Sequence, residues 1–162
     1  MAFKPDVTII HLGLNDTDPR NWPNYRNSFS SDYAALIDSI RAVNRDMQIY
    51  ICRLTPIFSG HPRFLSGTRA WYDQIQALLP QIAASNQVGL IDLHTPLHTR
   101  IDLFDDYLHP NRQGAAIIAR QVANILRPLN RTCKWLKRSV RIWYSNVTGK
   151  IVFMVRELQQ LR

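Results

Sequence analysis

The hydrophobic positions change period along this chain, and each change marks an element. Val7-Thr8-Ile9-Ile10-His11-Leu12 is a nearly continuous apolar run, rich in β-branched residues, that ends at Gly13. Such a run predicts a strand buried on both faces, as in a parallel sheet. From about Asn24 to Asn44 the residues Phe29, Tyr33, Leu36, Ile37, Ile40 and Val43 recur at helical spacing, which predicts an amphipathic helix. Gln48 to Leu54 repeats the strand pattern and stops at Thr55-Pro56. A second helical period covers Thr68 to Asn86, with Trp71, Ile75, Leu78, Leu79 and Ile82 on its apolar side and an expected kink at Pro80. Val88 to Leu93 reads as a third strand. Asn111 to Leu126 reads as a closing helix, with Pro110 suited to its first turn and Pro128 as its stop.

Strand and helix therefore alternate, the order that produces a parallel sheet layered with helices. The expected fold is α/β, with three parallel strands over residues 1–127. The strand Val7–Leu12 opens the pattern with no strand before it, so one of its edges is expected to lie open and to favour self-association. After Pro128 the periodicity fades. Trp135 to Tyr144 fits a strand or a short helix, Asn146-Val147-Thr148-Gly149 fits a turn, Ile151 to Val155 is β-prone, and Arg156 to Arg162 leans helical.

Charge sharpens that division. The chain carries a net charge of +8, yet residues 1–126 hold 11 basic and 11 acidic side chains, while residues 127–162 hold 9 basic ones and Glu157 alone. The basicity belongs to a C-terminal extension, residues 128–162, and says nothing of nucleic-acid binding by the rest. Two readings of the extension stand side by side: a solvated appendage, or a basic aromatic segment that contacts an anionic partner. With 162 residues, 46% of them hydrophobic, the chain can bury the core of one domain. No apolar run reaches the roughly eighteen residues of a membrane span, and the first residues lack a signal-peptide core, which leaves localisation open. Cys52 and Cys133 are too few and too distant for a disulfide framework or a zinc site, and Cys52 reads as a small core residue.

The chemistry concentrates in Asp105-Asp106-Tyr107-Leu108-His109-Pro110-Asn111. A histidine is the side chain that accepts and returns protons near neutral pH. Asp106, three residues before His109, can bond one ring nitrogen in a tight turn and leave the other as an acceptor. Gly13-Leu14-Asn15-Asp16 forms the loop at the carboxyl end of the first strand, where α/β folds hold their ligands. His11, His61, His94 and His98 complete the histidines. The spacing of His94 and His98 suits a metal pair, but no carboxylate or cysteine matches it, and Pro96 between them argues against a continuous helix. Hydrogen bonding in loops explains these four better, and neither a metal nor a cofactor is expected.

These two motifs, about ninety residues apart with two strand–helix units between, resemble the third and fifth sequence blocks of the SGNH (GDSL-type) esterases and lipases. The resemblance covers residues 5–127. Within that family, the run from His11 through Trp22, together with Leu54-Thr55-Pro56 and Ile91-Asp92-Leu93, is most similar to the sialate O-acetylesterase-like and other carbohydrate acetylesterases. It implies a three-layer α/β/α, flavodoxin-like sandwich, present here in part. It implies His109 as general base, Asp106 as the residue that orients it, and Asn15 as a neutral side-chain donor to the oxyanion of the tetrahedral intermediate. Gly13 would let the loop turn toward the cleft, and Asp16 would support that loop. The implied substrate is a small-molecule or carbohydrate ester, with acetyl or another short acyl group removed.

One departure limits what is implied. The family's nucleophilic serine lies in a Gly-Asp-Ser motif after its first strand, and another block supplies a glycine amide to the oxyanion hole; neither occurs here, nor does a Gly-x-Ser-x-Gly elbow. Ser28, Ser30 and Ser31 sit at a helix start, where capping and surface roles explain them. Ser59 and Ser66 lie in a loop at the appropriate face without a nucleophile motif around them. The chain is therefore expected to carry the carboxyl-terminal part of an SGNH domain, with the serine block upstream of Met1 and with little or no activity of its own.

Overall fold

The structure is a computed structural model that describes residues 5–62, 68–132 and 151–155. Its strands are β1 (Val7–His11), β2 (Gln48–Arg53), β3 (Gly89–Asp92) and β4 (Ile151–Val155); its helices are α1 (Trp22–Tyr25), α2 (Phe29–Val43), α3 (Thr68–Ser85) and α4 (Arg112–Thr132). The sheet order is β3-β2-β1-β4. β1 pairs with β2, and β2 with β3, in parallel, so the three-stranded α/β arrangement expected from the periodicity is present.

Side-chain alternation along the strands makes two cores. Ile10, Ile49 and Ile51 point to one face, where they meet Phe29, Tyr33 and Ile37 of α2 and Tyr72, Ile75, Leu79 and Ile82 of α3. Val7, Ile9, Cys52 and Ile91 point to the other, toward Leu97, Leu103, Phe104 and Ile118. Every residue of β1 is buried, as a central strand's must be. Cys52 is a fully buried core residue with a free thiol.

Several boundaries differ from the periodic reading, each for a local reason. The first helical stretch is two helices, because the turn at residues 26–28 separates α1 from α2. α3 runs through Pro80 without a break. α4 starts at Arg112 rather than Asn111, and Pro110 lies in a β-bridge with Phe104 rather than in the first turn. Asn111 is the cap instead: its Oδ1 accepts the N–H groups of Gln113 and Gly114 at 3.0 and 3.1 Å. The same helix passes Pro128 and ends at Thr132, since a proline removes one hydrogen bond without obliging the remaining turns to unwind. The division between residues 1–127 and 128–162 thus falls inside a helix.

The open edge expected beside β1 is filled. β4 pairs antiparallel with it, from Val7 opposite Val155 to His11 opposite Ile151. A β-prone apolar segment satisfies the row of backbone donors and acceptors that an unpaired β1 would present. The outer edges of the sheet are those of β3 and β4. The segments 133–150 and 156–162, including the stretch from Trp135 to Tyr144, the turn at Asn146 to Gly149 and the end from Arg156 to Arg162, lie outside the described residues. No described helix is long and apolar enough to cross a membrane.

Candidate active site

The loop between β3 and α4 is shaped by its own short-range bonds. After β3, the Asp92 carboxylate accepts the backbone N–H groups of His94 and Thr95 and the Thr95 hydroxyl, which winds the chain into a turn. The 3-10 turn Ile101–Leu103 follows, and Asn111 donates its Nδ2–H to the Asp102 carbonyl while its own backbone N–H bonds that of Leu103. Leu103 and Leu108 are buried on opposite faces of the sheet, which pins the loop at two points. Gly114 is needed where α4 meets this loop, because a side-chain carbon there would stand 2.8 Å from the Leu103 carbonyl oxygen.

Within that frame Asp106 and His109 are brought together. The His109 ring nitrogen Nδ1 lies 2.6 Å from Asp106 Oδ2, and Asp106 Oδ1 accepts the backbone N–H groups of Leu108 and His109 at 3.1 and 2.6 Å. Partial burial opposes ionisation of Asp106, but the bonds from the His109 ring and from these two amides outweigh it and hold the carboxyl down at about 2. An ionised carboxylate only accepts, so neutral His109 must carry its proton on Nδ1 and present a lone pair on Nε2. The His109 side chain is 72% exposed, so that lone pair faces the outside of the loop. No serine hydroxyl among the described residues bonds to it.

The second motif stands at the same end of the sheet. Gly13 has φ +118°, and a side-chain carbon there would lie 3.1 Å from Ile75 Cγ2, so conformation and crowding both demand glycine. Asn15 opens the 3-10 turn Asn15–Thr17 directly after it, half-buried, and its carbonyl accepts the Asn21 side-chain amide at 3.0 Å. Asp16 bonds through its backbone N–H to the Gly13 carbonyl at 3.2 Å.

Three contacts join the two motifs through the loop after β2, and periodicity revealed none of them. Buried His11, the last residue of β1, accepts the Thr55 N–H on Nε2 at 3.2 Å, and burial pulls its pKa down to about 4. Gln76 of α3, buried among apolar neighbours, closes both backbone groups of Leu54, at 3.1 Å to its N–H and 2.9 Å to its carbonyl. The Tyr107 carbonyl then accepts the Phe58 N–H at 2.9 Å, which ties this loop to the Asp106–His109 turn. A buried glutamine at a helical apolar position was the one available signal.

Of the remaining sequence candidates, Ser59 lies beside the turn, between Phe58 and Gly60, which both touch Tyr107, but is not bonded to His109. Ser28 bonds Asp32 and the Tyr25 carbonyl, and Ser31 bonds the Ser28 carbonyl, in keeping with roles at a helix start. Ser59 is exposed, and Ser66 lies outside the described residues. His94 and His98 do come together, stacked with ring centroids 5.5 Å apart, and His98 Nδ1 lies 2.8 Å from the Thr95 carbonyl oxygen. Burial and the nearby positive charges of Arg53 and His98 keep His94 below the usual histidine range. Among the described residues no group of three or more His, Cys, Asp or Glu side chains is arranged to hold a metal. His61 sits in the loop after β2, its N–H on the Phe58 carbonyl.

Comparison with known proteins gives the family and the fold. A profile of the GDSL-like lipase/acylhydrolase family matches residues 1–117. An acetylxylan esterase of Xylanibacter ruminicola is 30% identical over 145 residues, which cover 78% of this chain and 30% of that protein. Among solved structures, a carbohydrate esterase family 3 protein from Talaromyces cellulolyticus superposes with a TM-score of 0.62 at 21% identity, covering 80% of this chain and 60% of the other. A GDSL-like lipase from Bacteroides thetaiotaomicron gives 0.56 at 15% identity, covering 75% and 62%. The chain therefore spans less than a third of the matched esterase and about three-fifths of these structures.

Proposed function

We propose a function from one fact: the chain belongs to the GDSL-like lipase/acylhydrolase family. It is the carboxyl-terminal portion of a serine esterase that removes acetyl or short acyl groups from carbohydrate esters. The Asp106–His109 pair carries this reading, because Nδ1 is fixed on a carboxylate and Nε2 is offered as an acceptor. A serine from the Gly-Asp-Ser block attacks the acyl carbonyl, and its hydroxyl proton passes to His109 Nε2. The Asn15 amide donates to the oxyanion as the tetrahedral intermediate forms. His109 then returns the proton to the leaving alcohol, and water, activated by the same nitrogen, clears the acyl group from the serine. Carbohydrate as the alcohol is favoured by the similarity to an acetylxylan esterase.

The residues of this chain supply the base, its orienting carboxylate and one oxyanion donor, but no Gly-Asp-Ser nucleophile. By itself the chain is inactive or weakly active. The test is to read the gene upstream of Met1 and assay the longer protein on a chromogenic acetate ester. An in-frame Gly-Asp-Ser, with hydrolysis that disappears in His109→Ala, is the expected result. A longer protein without activity, or activity indifferent to His109, would refute the proposal.

The basic extension supports a second reading, a module that holds an anionic partner, on the strength of its 8 basic residues against one acidic. Retention on heparin that falls steeply with salt and vanishes when residues 133–162 are removed would favour it.

A further inference from the structure

Tyr107 sits between Asp106 and Leu108 in a conformation that its side chain does not favour. Its φ is +65°, in the left-handed region where a bulky L-residue is strained and glycine is at ease. Two contacts hold it there. The Phe58 N–H donates to its carbonyl at 2.9 Å, and its ring lies against Gly60. A side-chain carbon on Gly60 would stand 2.7 Å from Cζ and 2.8 Å from both Cε1 and Cε2 of that ring. Near-equal distances to the two Cε atoms, with the hydroxyl oxygen farther away, mean that Gly60 lies under a face of the ring and not at its edge. Gly60 is therefore the floor of the ring in its present position, and a side chain there would push the ring away.

The ring does not repay its strain by burial, for Tyr107 remains 42% exposed. A glycine would make the same turn without strain, and an aromatic residue that was only filling a core would be covered. What remains is a flat ring with one face backed by the loop after β2 and much of its surface left in solvent, two residues from His109. An electron-rich aromatic face attracts the slightly positive C–H bonds that line one side of a pyranose ring. Strained backbone that surrounding contacts enforce is most often kept at sites of function.

We propose that Tyr107 is a specificity-determining residue, a stacking platform that seats a sugar ring of the ester substrate beside His109. The inference rests on the carbohydrate-esterase reading above and adds to it the side chain that selects the sugar. The phenol end, over Gly60, sets how far the sugar extends along the loop after β2. Because the chain has no Gly-Asp-Ser serine, an acetylated sugar can be titrated into it while the ester stays intact.

The experiment titrates a partially acetylated xylo-oligosaccharide into the full chain and follows amide chemical shifts, for the unchanged protein, Tyr107→Phe and Tyr107→Gly. The glycine variant fits the observed φ, so it folds, and its thermal midpoint stands as a check. The expected result is saturable binding that shifts Gly60 and His109, retained within about twofold in Tyr107→Phe and weakened about tenfold or more in Tyr107→Gly, a change of about 1.4 kcal/mol. Equal binding by Tyr107→Gly, or no saturable binding by the unchanged protein, overturns the platform. Hydrolysis of a small acetate by the longer, serine-bearing protein is scored separately. If it fails while sugar binding still depends on Tyr107, the esterase reading falls and the platform stands; if it succeeds while binding ignores Tyr107, the platform alone falls.

Discussion

In the turn before α4, His109 stands in solvent with Nδ1 on the Asp106 carboxylate; at the end of β1, His11 lies buried with Nε2 on the Thr55 N–H. Both rings are held with the proton on Nδ1. Their lone pairs differ entirely in availability. That of His109 has no partner among the described residues and is free to take a proton from a reacting group, whereas that of His11 is occupied by the Thr55 backbone amide. Exposure and a carboxylate partner leave the first free to act as the proposed base; full burial makes a structural acceptor of the other. Residue type thus says little about role until the partner on each nitrogen is known.

The largest effect expected from breaking this contrast is catalytic. In the longer, serine-bearing protein proposed above, His109→Ala should lower kcat by about a thousandfold or more. Because the side chain is mostly exposed, the thermal midpoint should barely move. His11→Ala should do the reverse to stability, costing about 3 kcal/mol by denaturant titration, since it leaves a buried N–H unpaired and opens a cavity.

A pH series separates the same two residues without mutation. The folded-state value of His11 lies at about 4, below the ordinary histidine value of about 6.5. As pH falls below 6.5 the unfolded chain takes up a proton that the folded chain refuses, so stability declines between about 6.5 and 4, by about 3 kcal/mol in all. The slope should be absent in a His11→Gln variant that folds. Asp106, held at about 2, is depressed; its contribution is complete above the ordinary carboxylate value and is lost only as pH falls toward 2, outside the His11 window.

How much of this was legible in the sequence depended on how local the cause was. β1, β2 and β3 follow from short apolar stretches, and the Asp106–His109 bond follows from a spacing of three, so both could be read along the chain. The Asn111 cap is local too, yet its position next to the helical period hid it inside the helix. His11 to Thr55 and Leu54 to Gln76 are separated by 44 and 22 residues, and no spacing rule joins them. β4 pairing with β1 is the extreme case. The segment Ile151–Val155 announces its strand character, but the edge it fills is chosen only by the fold. The left-handed φ of Tyr107 was invisible, because nothing about a tyrosine announces it.

Smaller effects test those nonlocal features. Removal of residues 133–162 should uncover the edge of β1, and sedimentation should then show association that rises with concentration; a strictly monomeric truncation would mean that β4 is not the cover. Asn111→Ala should cost about 1 kcal/mol through the lost cap of α4, read as a small drop in the denaturation midpoint.

The central claim, that Asp106 makes His109 a base with Nε2 available, is tested most directly by the ring-nitrogen chemical shifts of His109 in this chain at neutral pH, with Asp106→Ala beside it. The predicted result is that the uncharged form of the ring carries its proton on Nδ1 and leaves Nε2 bare, reverting in Asp106→Ala toward the Nε2-protonated form that free imidazole side chains favour. A proton on Nε2 in the unchanged protein, or a tautomer that ignores the loss of Asp106, would contradict it.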